Sequence, residues 1–600
     1  MYKQIFDPVG GSLGLSAIFA VLPLLAIFVL LGAFKVKAQW AGLAALVVAL
    51  LVAVLVYGMP VGQALLAASE GAAFGIFPIM WIVINAIWIY NMTVVTGHFD
   101  VLRRSFGSIS RDQRIQAIII AFCFGALLEA LAGFGTPVAI SSVMLIALGF
   151  APVKAAAVSL VANTAPVAFG AIAVPITTLG KITGLPAGAL GAHVGRQTPV
   201  LALFVPLALV LMVDGRRGLR QTWPAAVVGG VTFALAQFLC SNYFSIELTD
   251  IVASLVAVAA LVALLRVWQP AEILEGEALT EADIRARIDA ATATAHRVET
   301  AGGGRSAAGN PSTVAVGTRA SGVGEDASVG AGVGAERAER PLPPPGLGLE
   351  RDPAGEVARA YGPYGLIVLV FALAQVPAIK SLLAKGAVSF LWPGISILAR
   401  SGKPPSAVTY AFGWLSAGGT LLLISGLLTM LVLKVSPGRA VRAYLATLDQ
   451  LKWAILTVAA VLALAYVMNL SGQTVTIGLW LAGAGGLFAL LSPILGWLGV
   501  AVTGSDTSSN ALFGTLQVTA ARNAGLDPIL LAAGNSSGGV LGKMISPQNL
   551  AIASAAVGMA GGEGELFRKV IGWSVGFLVF MCLLVYLQST PVLSWMLAGL

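Results

Sequence analysis

Residues Gly504–Gly514 read GSDTSSNALFG and residues Gly534–Pro547 read GNSSGGVLGKMISP, with a short apolar run between them. An aspartate, two asparagines, a lysine, several hydroxyls and many glycines therefore sit inside hydrophobic sequence. In a bilayer an unsatisfied polar group costs several kcal/mol, and irregular backbone is tolerated only where it lines a cavity or is buried in protein. The stretch reads as a discontinuous membrane segment that binds a small polar solute. A polar re-entrant loop that only packs helices is the plainer alternative.

Composition sets the class. The chain has 600 residues, 58% of them hydrophobic and only 10% charged, with a mean hydropathy of +0.90. Soluble domains do not reach such values. Apolar runs such as Leu15–Ala33, Ala41–Tyr57, Ala454–Val467 and Val570–Leu587 recur in both halves. The expected fold is an all-α polytopic membrane protein with roughly twelve to fourteen crossings. The first run is followed by Lys35 and Lys37 rather than a small-residue cleavage site, so it is not read as a cleavable signal. Cys123, Cys240 and Cys582 are scattered, and with His98, His193 and His296 they form no metal-ligand spacing. No cofactor or metal is expected. The basic pI, about 9.4, reflects Lys and Arg between the apolar runs, as the positive-inside rule predicts, rather than nucleic-acid binding.

From about Pro270 to Gly362 the chain turns polar and rich in Gly, Ala, Ser and Pro. Such sequence buries too little apolar area to offset its ordering entropy. Thr300–Arg359 reads as a disordered linker, with a short helix over Glu281–Val298 before it. The expected organisation is a membrane half over 1–268, a linker over 269–361 and a second membrane half over 362–600. Basic clusters at Lys35/Lys37, Arg103–Arg114, Arg216–Arg220, Lys434–Lys452 and Arg568/Lys569 mark the cytoplasmic loops. Both termini then fall outside and the linker in the cytoplasm.

The halves carry a weak repeat. Gly133 and Gly135 form a glycine turn after one apolar segment, and Gly504 opens its counterpart in the other half. About thirty residues later each half has a second motif, VANTAPVAFGAIAVP and then AAGNSSGGVLGKMISP. Asn163, Gly170 and Pro175 match Asn535, Gly542 and Pro547 at a constant offset of 372. The two halves enter these motifs from opposite sides, the pattern of an inverted-topology repeat with its site at the repeat interface.

FCFGALLEALAGFGTPVAI (122–140), VANTAPVAFGAIAVP (161–175), GSDTSSNALFG (504–514) and GNSSGGVLGKMISPQNLAIA (534–553) resemble the bacterial L-lactate permease family. So do GHFDVLRRS at Gly97, VGRQTP at Val194 and TWPA at Thr222. The resemblance spans nearly the whole chain except the linker, which is longer than the family leads one to expect. It implies an inner-membrane symporter of lactate and a proton, some members of the family also carrying glycolate.

A lactate site needs a cation or helix N-termini for the carboxylate, polar side chains for the hydroxyl and a small apolar wall. Importing a lone anion against an inside-negative potential costs about 2.3 kcal/mol per 100 mV, and a co-transported proton removes that cost. Three acids read as lying inside apolar segments: Glu70, Glu129 and Asp506. Glu129 and Asp506, at matching turns, are the proton-coupling candidates, with Asp506 preferred because Lys543 lies in the adjacent motif. Glu70 reads as a structural acid near the outer interface. Lys543 is the first candidate for the anion, with pairing to Asp506 as its plainer role, and Arg196 is the second candidate. Asn163, Thr164, Ser505, Thr507, Ser508, Asn510, Asn535, Ser536 and Ser537 are candidate hydrogen-bonding groups, with helix packing the alternative for each. Gly133, Gly135, Gly504, Gly538 and Gly539 are read as backbone turns. The remaining functional classes are a sodium-coupled carboxylate transporter and a membrane-embedded enzyme, although no HExxH occurs in the spans.

Overall fold

The computed structural model describes residues 1–275 and 352–597, apart from 35, 108, 132, 134, 401, 403, 560 and 561. Helices dominate it. The strands among the described residues form two small ribbons, one pairing Tyr2–Lys3 with Ile397–Leu398 and the other Ala387–Leu391 with Thr409–Gly413. Among the described residues ten helices are long and apolar enough to cross a bilayer. The bent pair Pro152–Ala162 and Val167–Thr183 makes one more. Ala187–Tyr243 is one of the ten, yet its 57 residues break at Asp214–Gly215. At 1.5 Å per residue that length is about 85 Å, far more than one crossing needs. Counting it twice brings the total to the lower end of the expected range.

The sequence halves interleave in space. Helices from the first 95 residues pack on Ala354–Gln375, Gly418–Val432 and Pro437–Ser471, whereas Gln113–Val267 packs with Phe488–Gln588. Each layer thus draws on both halves. The helix Ala354–Gln375 also begins inside the stretch read as disordered linker. Its entry is fastened by Asp352, which holds Arg104 at 2.8 Å. At the other end of the linker, Leu274 donates its backbone N–H to Asp112 at 3.1 Å, and Gln221 and Arg217 hold the exposed Glu272 carboxyl below its ordinary range. The helix expected over 281–298 lies outside the described residues, as does most of the linker.

The repeat is visible as element order. In the first half, Gln113–Leu131 ends in a glycine turn, Thr136–Ala147 follows, and Pro152–Ala162 runs into a break before Gly170–Thr183. In the second, Phe488–Thr503 ends in a glycine turn, Asp506–Ala524 follows, and Pro528–Gly542 runs into a break before Pro547–Ala556. Gly135 (φ 80°) and Gly504 (φ 74°) supply the left-handed turns that only glycine enters cheaply. Pro152 and Pro528 each open a helix at a position where a missing N–H is harmless.

The residue equivalences differ from those read in the sequence. Asn163 sits at the break itself, while Asn535 lies mid-helix, two turns before its break. In structural terms Asn163 corresponds to Lys543, an offset of 380 rather than 372. Gly538 and Gly539 are not turns either, because both lie inside the helix Pro528–Gly542. A Cβ at Gly538 would stand 2.2 Å from the Pro493 carbonyl oxygen, and one at Gly542 2.3 Å from that of Trp497. These glycines let two membrane helices meet backbone to backbone.

Candidate functional site

The two broken helices meet at a buried ion pair. Lys543, the first residue past the helix Pro528–Gly542, places its Nζ on Oε1 of Glu129. Glu129 is 2% exposed and Lys543 6%. Asn163 donates Nδ2–H to Oε2 of the same carboxylate at 3.2 Å. A glycine cradle makes room for that carboxylate: a Cβ at Gly170 would stand 2.8 Å from Oε1, and one at Gly133 3.6 Å. Just beyond, Ala171, Ile172 and Ala173 all adopt left-handed backbone, with φ of 44°, 59° and 56°. L-residues there cost roughly 1–2 kcal/mol each, strain of the kind found at functional sites.

Asp506 forms the second centre. It is 3% exposed and begins a helix whose N-cap, Ser505, accepts the Ser508 backbone N–H at 3.3 Å. Its Oδ2 accepts Ser536 Oγ–H at 2.5 Å and Asn510 Nδ2–H at 3.4 Å. The chain of bonds continues. Asn535 donates to Asn510 Oδ1 at 2.9 Å, and Gln517 donates to Asn535 Oδ1 at 3.0 Å. Asn510 also donates to the Pro175 carbonyl at 3.2 Å, tying this network to the first half. The other oxygen, Asp506 Oδ1, is buried without a hydrogen bond among the described residues, as are Asn163 Oδ1 and Ser537 Oγ. Gly539 leaves that oxygen its space, since a Cβ there would stand 2.4 Å away. Lys543 is within electrostatic reach of Asp506. The arrangement offers one buried cation, two carboxyls and several free acceptors, enough to hold a small hydroxylated anion.

The L-lactate permease family model matches residues 16–302 and 346–592. The chain belongs to the L-lactate permease family. It is 40% identical to the L-lactate permease of Bacillus subtilis (strain 168), covering 99% of this chain and all of that one. Against the glycolate permease of Escherichia coli (strain K12) it is 39% identical over 98% of both chains. Against the L-lactate permease of Salmonella typhimurium it is 39% identical over the full length of both. Family and fold together make it a multi-pass membrane protein of permease type.

Within this permease the structure brings together Glu129, Asn163, Lys543, Asp506, Asn510, Asn535 and Ser536, and it leaves Ser537 buried on the same helix. It separates others. Arg196 bonds Asn242 at 2.9 Å and the Met596 carbonyl at 2.8 Å, beside an apolar hollow lined by Val200, Phe238 and Trp595, away from the carboxyls. Thr164 donates to the Val161 carbonyl at 2.8 Å and trims the broken helix. Ser505 and Ser508 serve the helix cap, and Thr507 is half-buried in the first turn beside them. The partner of Lys543 is Glu129 of the other half, not Asp506. Glu70 is fully buried, with neither carboxyl oxygen hydrogen-bonded among the described residues.

Sequence reasoning missed three buried groups. Asp250 and Gln237 lie against the first half's break, and Gln517 anchors the network around Asn535. Asp250 reads in ELTDIV as an acid flanking a loop. Gln237 and Gln517 give no local signal beyond an amide inside a long apolar helix.

Proposed function

We propose that the protein imports lactate, and glycolate with it, together with one proton, and that coupling is an exchange of partners at Lys543. The observation that carries this is the buried Lys543–Glu129 pair joining the two halves. Among the described residues the lysine and arginine side chains buried in the structure are Lys543 and Arg114. Arg114 is already held by Asp112 at 2.6 Å and Asp214 at 3.1 Å. Lys543 is therefore the cation for the substrate carboxylate, and its present counter-ion must give way.

A substrate carboxylate arriving beside an ionised Glu129 would put two anions on one buried lysine. Like charges at such range are strongly unfavourable in low dielectric. If Glu129 takes a proton as the substrate binds, the buried charge stays constant: Lys543 trades one carboxylate for another. Loaded and empty carrier then bear the same charge, so lactate and its proton cross with no net charge moved and the electrical cost of moving lactate alone disappears. Asp506 Oδ1, without a hydrogen bond among the described residues and within electrostatic reach of Lys543, accepts the 2-hydroxyl. The sequence-based preference for Asp506 as proton carrier thus passes to Glu129, because Lys543 pairs there. Lactate and glycolate share the carboxylate and the hydroxyl and differ by one methyl, a difference worth only about 1–3 kcal/mol in a pocket.

This reading places the protein in a bacterial plasma membrane, with the basic loops and the linker cytoplasmic and both termini outside. The test is uptake of labelled lactate by proteoliposomes under a pH gradient alone and under a sodium gradient alone. Uptake driven by the pH gradient supports proton coupling. Uptake driven only by sodium assigns the protein to the sodium-coupled class instead.

A further inference from the structure

Asp250 lies in the first turn of the helix Thr249–Val267 and is 1% exposed. Its Oδ1 accepts Gln237 Nε2–H at 2.8 Å, and its Oδ2 has no hydrogen bond among the described residues. Gln237 also reaches the Ala165 carbonyl at 3.4 Å, inside the break that follows Asn163, and accepts Thr198 Oγ1–H at 3.3 Å. The helix bearing Asp250 packs directly on Gly125–Leu131, which carries Glu129, and the two carboxyls are within electrostatic reach. On its other side lies the loop before the helix, where half-buried Glu247 accepts Ser245 Oγ–H at 2.6 Å. Cys240 feels the charges of both Asp250 and Glu247.

Depth along the helices agrees with this order. Arg114, Asp214, Gln221 and Glu272 bond one another and so mark one face. Glu129 lies on the helix leaving Arg114, about 22 Å further along at 1.5 Å per residue. Asp250 lies about 25 Å from Val267, the end of its helix nearest that same face. Both acids therefore sit near the opposite face, the one formed by the loop around Glu247. Among the described residues Glu129, on the helix packed against it, is within electrostatic reach of Asp250, and Cys240 on the preceding helix is within reach of both Asp250 and Glu247.

We propose that Asp250 is a relay carboxyl for the coupled proton, passing it between Glu247 at the surface loop and Glu129 at the substrate site. The proposal rests on the proton-symport reading above. In the loading step the proton leaves Asp250 for the Glu129 carboxylate, Lys543 turns to the substrate carboxylate, and Asp250 is reloaded from the Glu247 side. Each of the two transfers breaks one O–H bond and forms another, first from Asp250 to Glu129 and then from the Glu247 side to Asp250, and no other covalent bond changes. Gln237 holds Asp250 to the backbone of the broken helix, so that movement of the break shifts the relay with it.

The experiment uses the full-length protein in proteoliposomes with labelled lactate and an internal pH dye. Asp250→Asn keeps the acceptor for Gln237 but cannot carry a proton. The expected result is pH-gradient-driven uptake slowed at least tenfold, with lactate–lactate exchange at equal pH within twofold of the parent. Unchanged uptake overturns the proposal. So does loss of both activities in a variant that purifies as a monodisperse protein of parental thermal stability. If Asp250→Asn does not fold, Glu247→Gln decides: slowed uptake with intact exchange supports the relay, and parental uptake refutes it. A parent protein that takes up lactate without internal acidification defeats the symport reading itself, and its own dye trace separates that outcome from failure of the relay alone.

Discussion

Glu129→Gln is the most revealing single change, because the amide imitates the protonated carboxyl permanently. In the empty carrier it strips Lys543 of its counter-ion. Removing one partner of a buried pair costs about 3–5 kcal/mol, because the remaining charge is uncompensated. Lactate restores a carboxylate to that lysine, so part of this cost returns as binding energy. Each 1.4 kcal/mol recovered tightens binding about tenfold. The variant should therefore be less stable than the parent when empty and gain more from lactate. The pH dependence separates it further. In the parent, binding that takes up one proton weakens about tenfold for each unit of rising pH, 1.36 kcal/mol, wherever Glu129 is ionised in the empty carrier. In Glu129→Gln the slope should vanish. Accumulation driven by a pH gradient should be abolished, while exchange between lactate-loaded compartments persists, since exchange requires only movement of the loaded carrier. The assays are thermal stability with and without lactate, affinity across pH, and paired uptake and exchange measurements. A variant that still accumulates lactate, or that keeps the parental pH slope, refutes the partner-exchange mechanism.

Other outcomes follow from the same geometry. Lys543→Ala removes a charge-assisted contact worth about 1.5–3 kcal/mol, so lactate affinity measured by calorimetry should fall roughly 10- to 150-fold. Asp506→Asn should weaken lactate more than propionate, which lacks the 2-hydroxyl, and equal losses for both acids would remove Asp506 from hydroxyl recognition. Gly538→Ala forces a Cβ onto the Pro493 carbonyl oxygen and should lower the unfolding temperature in detergent through an overpacking cost of about 1–3 kcal/mol. Arg196→Ala should leave transport near the parental rate, because its partners are Asn242 and the Met596 backbone. Deleting residues 300–345 should also leave uptake unchanged, since the whole candidate site lies outside that stretch.

The broken helices are legible in the sequence because their causes are local. A glycine that must take positive φ and polar residues that cannot face lipid leave marks around Gly135 and Gly504. Pairings made at long range leave none. Glu129 and Lys543 are 414 residues apart, and nothing near either one names the other. Sequence proximity pointed instead to Asp506, four helical residues from the Asn510 that actually binds it. The constant offset of 372 aligned chemically similar residues, whereas the fold aligns the breaks, where Asn163 and Lys543 serve one carboxylate. Asp250 was hidden for a related reason. An acid in the first turn of a helix is ordinary at a surface, and only the packing of Gly125–Leu131 and Gln237 over it makes this one buried. Arg196 shows the converse, since a motif that opens a span serves a peripheral contact with the C-terminal segment.

The most direct test of partner exchange at Lys543 is the number of protons that enter with each lactate. Internal pH and labelled lactate, recorded together in proteoliposomes whose membrane potential is clamped, give that ratio. One proton per lactate, at a rate indifferent to the clamped potential, is the predicted result. Lactate entry without acidification, or entry that follows the membrane potential or a sodium gradient, would contradict it.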